Sequence, residues 1–303
     1  MTDHRPREVV AAVDLGGTRT KAALVDRDLE VVTRLVEPTP PDLAGGMGRT
    51  VAAVVERMRA AAPGMQMVGC GVVVPGLVDD ATGTGVLSVN HGWRDLPIRS
   101  LVDQATGIPT VVGHDVRAGL VAETRLGVAV GVSEALFLPL GTGIAAALMV
   151  DGHVLSGGGW AGELGHVSVD QSGPACPCGG TGCLEVIASA AAVGREYSAR
   201  TGELVDAQAV AERFRAGDAV AVAVWDRAVS ALARAVVTTI TLTGIDLVII
   251  GGGLAQSGAT LMAPLGSEIE RLRTFQRPPR LVTASLGDWA GCLGAACLAW
   301  DAA

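Results

Sequence analysis

At 303 residues the chain exceeds what one hydrophobic core serves, since single cores stop growing at roughly 250 to 300 residues, and two lobes are expected. The 31 Asp and Glu against 23 Lys and Arg leave a net charge of -8, which repels phosphate backbones and argues against nucleic acid as a partner. The mean hydropathy of +0.42 does not mark a membrane span, because the most apolar stretch, residues 231 to 250, contains Arg234, Gly244, Asp246 and a scatter of threonines.

The opening MTDHRPREVV lacks an apolar leader, so a cytoplasmic protein with reduced thiols is expected. Residues 11 to 32, AAVDLGGTRTKAALVDRDLEVV, read as an apolar strand, a Gly/Thr turn, a second apolar strand and an Asp-containing turn into a third. Here the glycines open a strand, whereas a Walker loop or a Rossmann fingerprint needs them to open a helix. The turn from Asp14 to Thr18 still offers N–H groups unblocked by side chains at Gly16 and Gly17, and the Thr18 hydroxyl adds a donor for phosphate oxygens. Asp14 ends its strand, where it could hold Mg²⁺ through water; a plain hairpin is the alternative. Arg19 and Lys21 read as solvated surface.

A Pro-rich connection, Pro38 to Asp42, leads into a helix from Leu43 to Ala62 that ends before Pro63. VGCGVVVPGLVDDATG (68 to 83) reads as a buried strand, a Pro-Gly turn and a loop, and PTVVGHDVRAGLVAETRLG (109 to 127) as a strand running into a helix. Asp115 stands where that strand yields to the helix, a place where catalytic groups of open α/β sheets collect and where a helix N-cap also belongs.

LFLPLGTGIAAALMVDGHVL (136 to 155) repeats the opening scheme, with Gly141, Thr142 and Gly143 as its turn. Cys176, Cys178 and Cys183 follow in CPCGGTGCLE, spaced C-x-C-x4-C, with His166 ten residues upstream. Three thiolates and an imidazole complete a tetrahedral set with no open position, which suits a structural Zn²⁺; buried free cysteines or a redox pair are the alternatives. Glu163 and Glu185 flank this loop, where fixed carboxylates could accept hydrogen bonds from sugar hydroxyls, though either acid alone reads as solvated or structural. Cys70, Cys292 and Cys297 sit singly in apolar runs, as core residues do. After helices around 206 to 243, DLVIIGGGLAQSG (246 to 258) is a strand ending in Gly251, Gly252 and Gly253, and the small-residue tail (288 to 300) is a helix expected to return to the first lobe. The lobes are therefore placed at 1–113, with a helix of about 291–303 returning to it, and at 114–290.

Together these segments resemble the ROK family (repressors, open reading frames and kinases) over nearly the whole chain. The resemblance rests on the DxGGT turn at Asp14 to Thr18, PGxVD at Pro75 to Asp79, N-x-GW at Asn90 to Trp93, GTG at 141 to 143, ExGH at Glu163 to His166, CxCGxxGCxE at 176 to 185 and GGG at 251 to 253. It implies an actin-like, hexokinase-type, ribonuclease H-like duplicated α/β fold, with two lobes around a nucleotide and sugar cleft. It also implies an ATP-dependent sugar kinase that moves the γ-phosphoryl group to a hexose hydroxyl, with glucose to glucose 6-phosphate as the family default. Asp115 would be the general base; Asn90, Glu163, His166 and Glu185 would bind sugar, and His166 would also ligate zinc with Cys176, Cys178 and Cys183. ATP and Mg²⁺ would sit on the Gly/Thr turns and on Gly251 to Gly253, and a homodimer or higher homo-oligomer follows from the same analogy.

One departure affects substrate identity. The family shows E-N-D-A-N around the base, and this chain has Gly113, His114, Asp115, Val116 and Arg117. His114 stands in place of a sugar-binding Asn, and an imidazole does not present a carboxamide's donor and acceptor pair. Two further readings are kept: a catalytically silent sugar-binding regulator, encouraged by His114 and Arg117, and a transcriptional repressor, opposed by the phosphate turn so close to the start of the chain.

Overall fold

The computed structural model describes residues 7–89 and 91–303, which divide into two compact units. The first runs to Leu126 and also takes Ser156–Ala161 and Asp288–Ala303; the second comprises Gly127–Leu155 and Gly162–Gly287. The units build the same sheet twice.

In the first unit, β1 (Glu8–Leu15), β2 (Arg19–Asp26) and β3 (Val31–Pro38) form an antiparallel meander, followed by α1 (Leu43–Ala61). Asp42 caps that helix by accepting from the Gly45 N–H at 3.0 Å. β4 (Gln66–Val74) runs parallel to β1. A separate small sheet follows, made of β5 (Leu77–Asp79), β6 (Thr84–Ser88) and β7 (Trp93–Leu96). Then come α2 (Ile98–Thr106), β8 (Thr110–His114), which is parallel to β4, and α3 (Asp115–Leu126). The order is β3-β2-β1-β4-β8. β1, β2 and β4 are nearly continuous apolar runs because helices cover both faces, leaving no solvated side to demand alternation.

In the second unit, β9 (Ala135–Pro139), β10 (Ala147–Val150) and β11 (His153–Val154) form the antiparallel meander. α4 (Leu184–Ala188), α5 (Ala190–Thr201), α6 (Ala207–Arg215) and α7 (Ala219–Thr243) follow, then β12 (Leu247–Gly251), α8 (Gly252–Ala255), α9 (Ala259–Leu272) and β13 (Arg280–Thr283). β12 is parallel to β9 and β13 to β12, giving β11-β10-β9-β12-β13, the first unit's order again. Its core gathers around Leu136, Leu138, Trp225, Leu232, Val248 and Ile250.

α10 (Ala290–Ala302) returns to the first unit. Its run of small residues lets it lie against α3: a Cβ on Gly294 would stand 2.0 Å from the Ala118 carbonyl oxygen, so only glycine permits the approach. An Arg125–Asp301 ion pair at 2.5 Å ties the far ends of the two helices. This packing moves the boundary from the expected 113/114 to the end of α3, so Asp115 belongs to the first unit. Cys70, Cys292 and Cys297 are fully buried core residues, and burial pushes the Cys70 thiol up to about 12. Among the described residues, no helix is long and apolar enough to cross a membrane.

Candidate active site

The first unit carries the Asp14 to Thr18 turn and Asp115. Gly16 to Thr18 link β1 to β2 as a hairpin turn, with Gly17 and Thr18 exposed. Thr39 holds the turn from behind, its hydroxyl donating to the Gly16 carbonyl at 2.7 Å and its N–H to the Thr18 carbonyl at 3.0 Å. Asp14, at the end of β1, is largely buried, and burial, with Asp115 and Asp288 adding repulsion, pushes its carboxyl up to about 7 against the pull of Lys21. Lys21 is not the solvated residue its position in the sequence suggested. Its ammonium pairs with the Asp288 carboxylate at 3.2 Å and also donates to the Asp288 carbonyl. With Lys21 already paired to Asp288, the Asp14 carboxyl is left beside Asp115 without an ion-pair partner of its own, which fits a divalent cation held by Asp14.

Asp115 opens α3, and its own Oδ1 accepts from the Val116 N–H at 2.8 Å. Burial pushes its carboxyl up to about 6, against the backbone hydrogen bond and the Arg117 charge. A carboxylate in that range sits close to neutral pH, where a base takes and returns a proton with least cost. His114 is buried at 4% exposure, and its ring turns onto its own helix: Nδ1 accepts from the Arg117 N–H at 3.4 Å and Nε2 lies 3.4 Å from Asp115 Oδ1. The imidazole therefore takes the N-cap position of α3, with Asp115 beside it. Asn90 lies outside the described residues; its neighbour His91 stacks on Trp93 with ring centroids 4.8 Å apart.

The second unit carries the other glycine turns, the acids and the cysteine loop. Gly141 to Gly143 form a turn after β9, and Gly252 and Gly253 open α8 instead of ending a strand as expected. The two turns are pinned together, because the Leu140 N–H donates to the Gly251 carbonyl at 2.9 Å and the Leu254 N–H to the Leu140 carbonyl at 3.0 Å. Gly252 has φ 76° and would place a Cβ 2.5 Å from the Leu140 oxygen, so this position requires glycine on both counts.

Cys176, Cys178, Cys183 and His166 come together, with their ligand atoms all within 4.8 Å of one another. Cys178 and Cys183 Sγ are 3.7 Å apart, as are Cys176 Sγ and His166 Nδ1. Tetrahedral zinc with bonds of about 2.3 Å to sulfur and 2.0 Å to nitrogen needs separations of roughly 3.6–3.8 Å, which these two pairs meet, and the donor set of three thiols and an imidazole suits that ion. His166 Nε2 remains on the other side of the ring, 3.8 Å from Glu163 Oε2. The loop closes on the ExGH segment through the Leu184 N–H, which donates to the Val167 carbonyl at 2.9 Å. Glu185 follows immediately, and its Oε2 accepts from the Ile144 N–H at 2.9 Å. Gly143 makes room for this: a Cβ there would lie 2.5 Å from that same oxygen. Glu185 therefore ties the cysteine loop to the GTG turn, a link between residues 41 positions apart that no local spacing announces.

Known proteins agree along the whole length. The ROK family model matches residues 10–302. A glucokinase of Thermotoga maritima is 32% identical over 309 residues, covering 96% of this chain and 97% of that protein. An N-acetylmannosamine kinase of Escherichia fergusonii is 31% identical over 304 residues, covering 95% of this chain and 97% of its own. The crystal structure of a ROK-family glucokinase from Streptomyces griseus, in complex with glucose and AMPPNP, matches with a TM-score of 0.84 at 29% identity, over 97% of this chain and 99% of that one.

Proposed function

The chain belongs to the ROK family, and from that premise we propose that it is an ATP-dependent sugar kinase with Asp115 as general base. In the reaction proposed, the Asp115 carboxylate accepts the proton of a hexose hydroxyl as that oxygen bonds to the γ-phosphorus. The bond from the γ-phosphorus to the bridging oxygen breaks, and ADP leaves with the electron pair. The observation that carries this reading is the Asp115 carboxyl at the β8–α3 junction, pushed up to about 6, with Asp14 of the phosphate turn close enough to be repelled by it.

The remaining roles follow from what each group can donate or accept. Gly16, Gly17 and Thr18 would bind phosphate oxygens in the first unit, and Gly141, Thr142, Gly143 and Gly251 to Gly253 the nucleotide in the second. Asp14 would hold through water the Mg²⁺ that neutralises the phosphates. Glu163, Glu185 and His166 Nε2 would bind sugar hydroxyls, and Asn90 would assist. Zinc held by His166 Nδ1, Cys176, Cys178 and Cys183 would supply no chemistry beyond fixing the loop on which Glu185 sits. His114 would act on the sugar through Asp115. We place the protein in the cytoplasm, where these thiols stay reduced, and infer a homo-oligomer from family analogy alone.

The identity of the sugar is tested by measuring sugar phosphate formed from Mg-ATP across hexoses and N-acetylhexosamines. Relatives named for glucose and for N-acetylmannosamine stand at nearly equal identity. The proposal expects one of these sugars to be turned over well above the rest. If none is phosphorylated by zinc-replete protein that still binds one of them, the kinase reading fails in favour of a silent sugar-binding regulator.

A further inference from the structure

Arg117 stands two residues after Asp115 on the first turn of α3 and is only 5% exposed. A buried guanidinium needs partners, and this one reaches away from its own helix. One terminal nitrogen donates to the Val78 carbonyl at 2.9 Å and lies 3.0 Å from Asp80 Oδ1. Its Nε is buried without a partner among the described residues. Two contacts at one end of the side chain therefore fix its direction, and the neighbourhood leaves it little freedom.

Both ends of this link sit at informative places. Behind Arg117 the backbone carries the base: its N–H donates to His114 Nδ1, and His114 Nε2 faces Asp115 Oδ1. In front of it, the Val78 carbonyl also receives Gly159, where a Cβ would stand 2.4 Å from that oxygen. Gly159 lies four residues before Glu163 in the chain. Gly113 completes the arrangement, because a Cβ there would start 3.8 Å from Asp80 Oδ1 and 2.8 Å from Leu298 Cδ1. Position 113 thus lies against both the Asp80 carboxylate and Leu298 of α10, and the tight contact is the one with Leu298.

We propose that Arg117 is a positioning residue for phosphoryl transfer: clamped on the Val78 carbonyl and the Asp80 carboxylate, it fixes the first turn of α3 and thereby the direction of the Asp115 carboxylate. The charge of Arg117 also opposes the effect of burial on Asp115, which keeps the base ionised to lower pH than burial alone would allow. An apolar residue of the same length would fill the space but supply neither contact.

The proposal rests on the kinase reading, so the test uses whichever sugar the wild-type protein phosphorylates. Steady-state rates with Mg-ATP are compared for the wild type, Arg117→Met, Arg117→Lys, Asp80→Asn and the Arg117→Met/Asp80→Asn double variant, with thermal melts alongside. Misaiming a reacting group by about 1 Å costs on the order of 10²-fold in rate, so Arg117→Met is expected to lose about that in kcat while the sugar KM stays within about threefold. Arg117→Lys keeps one donor and the charge and should recover about tenfold. Asp80→Asn should lose about tenfold alone and nothing further in the Arg117→Met background, since both substitutions break one contact. If Arg117→Met does not fold, Arg117→Lys and Asp80→Asn decide: a kcat loss in both supports the proposal, and wild-type kcat in both overturns it. A folded Arg117→Met with wild-type kcat and only a lower melting temperature also overturns it. A wild type without turnover on any sugar sinks the kinase reading and this proposal with it.

Discussion

Replacing Asp115 by Asn removes an ionisable group that burial disfavours, so the variant is expected to be more stable than the wild type at neutral pH and above, where the wild type is most active. The native carboxyl holds its proton up to about 6, whereas the unfolded chain releases it near 3.8. With a native pKa above the unfolded one, the contribution to stability is full below 3.8 and is lost as pH rises through about 6. Two pH units at roughly 1.4 kcal/mol each give about 3 kcal/mol lost to the wild type at pH 7 and above, and about 0.5 kcal/mol at pH 4. Asn is indifferent to pH here and keeps an oxygen for the Val116 N–H, so the difference between the two proteins should carry this profile. At about 2–4 °C per kcal/mol, Asp115→Asn should melt roughly 6–12 °C above the wild type at pH 7.5 and within about 2 °C of it at pH 4. Calorimetry of both proteins without ligand, at those two pH values, measures this directly. A variant that melts below the wild type at pH 7.5, or by the same margin at both pH values, would refute the idea that desolvation disfavours the carboxylate at this position.

Other expectations follow from the same geometry. With Asp115 as base and Asp14 as the metal holder, kcat/KM for the sugar should fall as pH drops below about 7 and more steeply below about 6, and a profile with no acid limb in that region would remove Asp115 from proton transfer. Gly143→Ala meets no left-handed backbone but drives a methyl group against the Glu185 carboxylate, breaking its bond to the Ile144 N–H. If Glu185 binds sugar from that anchored position, displacing its carboxylate should raise the sugar KM by about tenfold with kcat less affected, and an unchanged KM together with an unchanged KM in Glu185→Gln would show that Glu185 does not bind sugar. Purified protein should hold about one zinc per chain, and Cys178→Ser should lower both metal content and melting temperature; metal analysis that finds none in freshly made protein would return the cysteines to the free-thiol reading.

What the sequence showed best was local. The cysteine set was legible because its spacing fits zinc, and Asp115 because a strand-to-helix junction is visible in the alternation of the chain. The duplicated sheet was legible from the two Gly/Thr hairpins, and the common strand order extends that repeat to five strands in each unit. What it did not show depends on contacts across long separations. Lys21 looked like surface because its partner, Asp288, lies 267 residues away. Glu185 read as a sugar-binding, solvated or structural acid, and its bond to the Ile144 N–H was not visible because it spans 41 positions. His114 was placed by analogy with the residue it replaces, and its burial and its contacts with the Arg117 N–H and Asp115 were not legible in that analogy. The boundary of the first unit was missed for the same reason, since α3 is held there by α10 from the opposite end of the chain.

The central claim is that Asp115 serves as base in ATP-dependent sugar phosphorylation, and a coupled measurement of ADP release tests it most directly. Wild type and Asp115→Asn are assayed side by side with Mg-ATP at saturating sugar, with sugar binding measured separately by calorimetry. The account predicts sugar-dependent ADP release by the wild type, a loss of about 10²–10⁴-fold in the variant, and sugar affinity changed by no more than about threefold. Sugar-dependent release by the variant at the wild-type rate would contradict it.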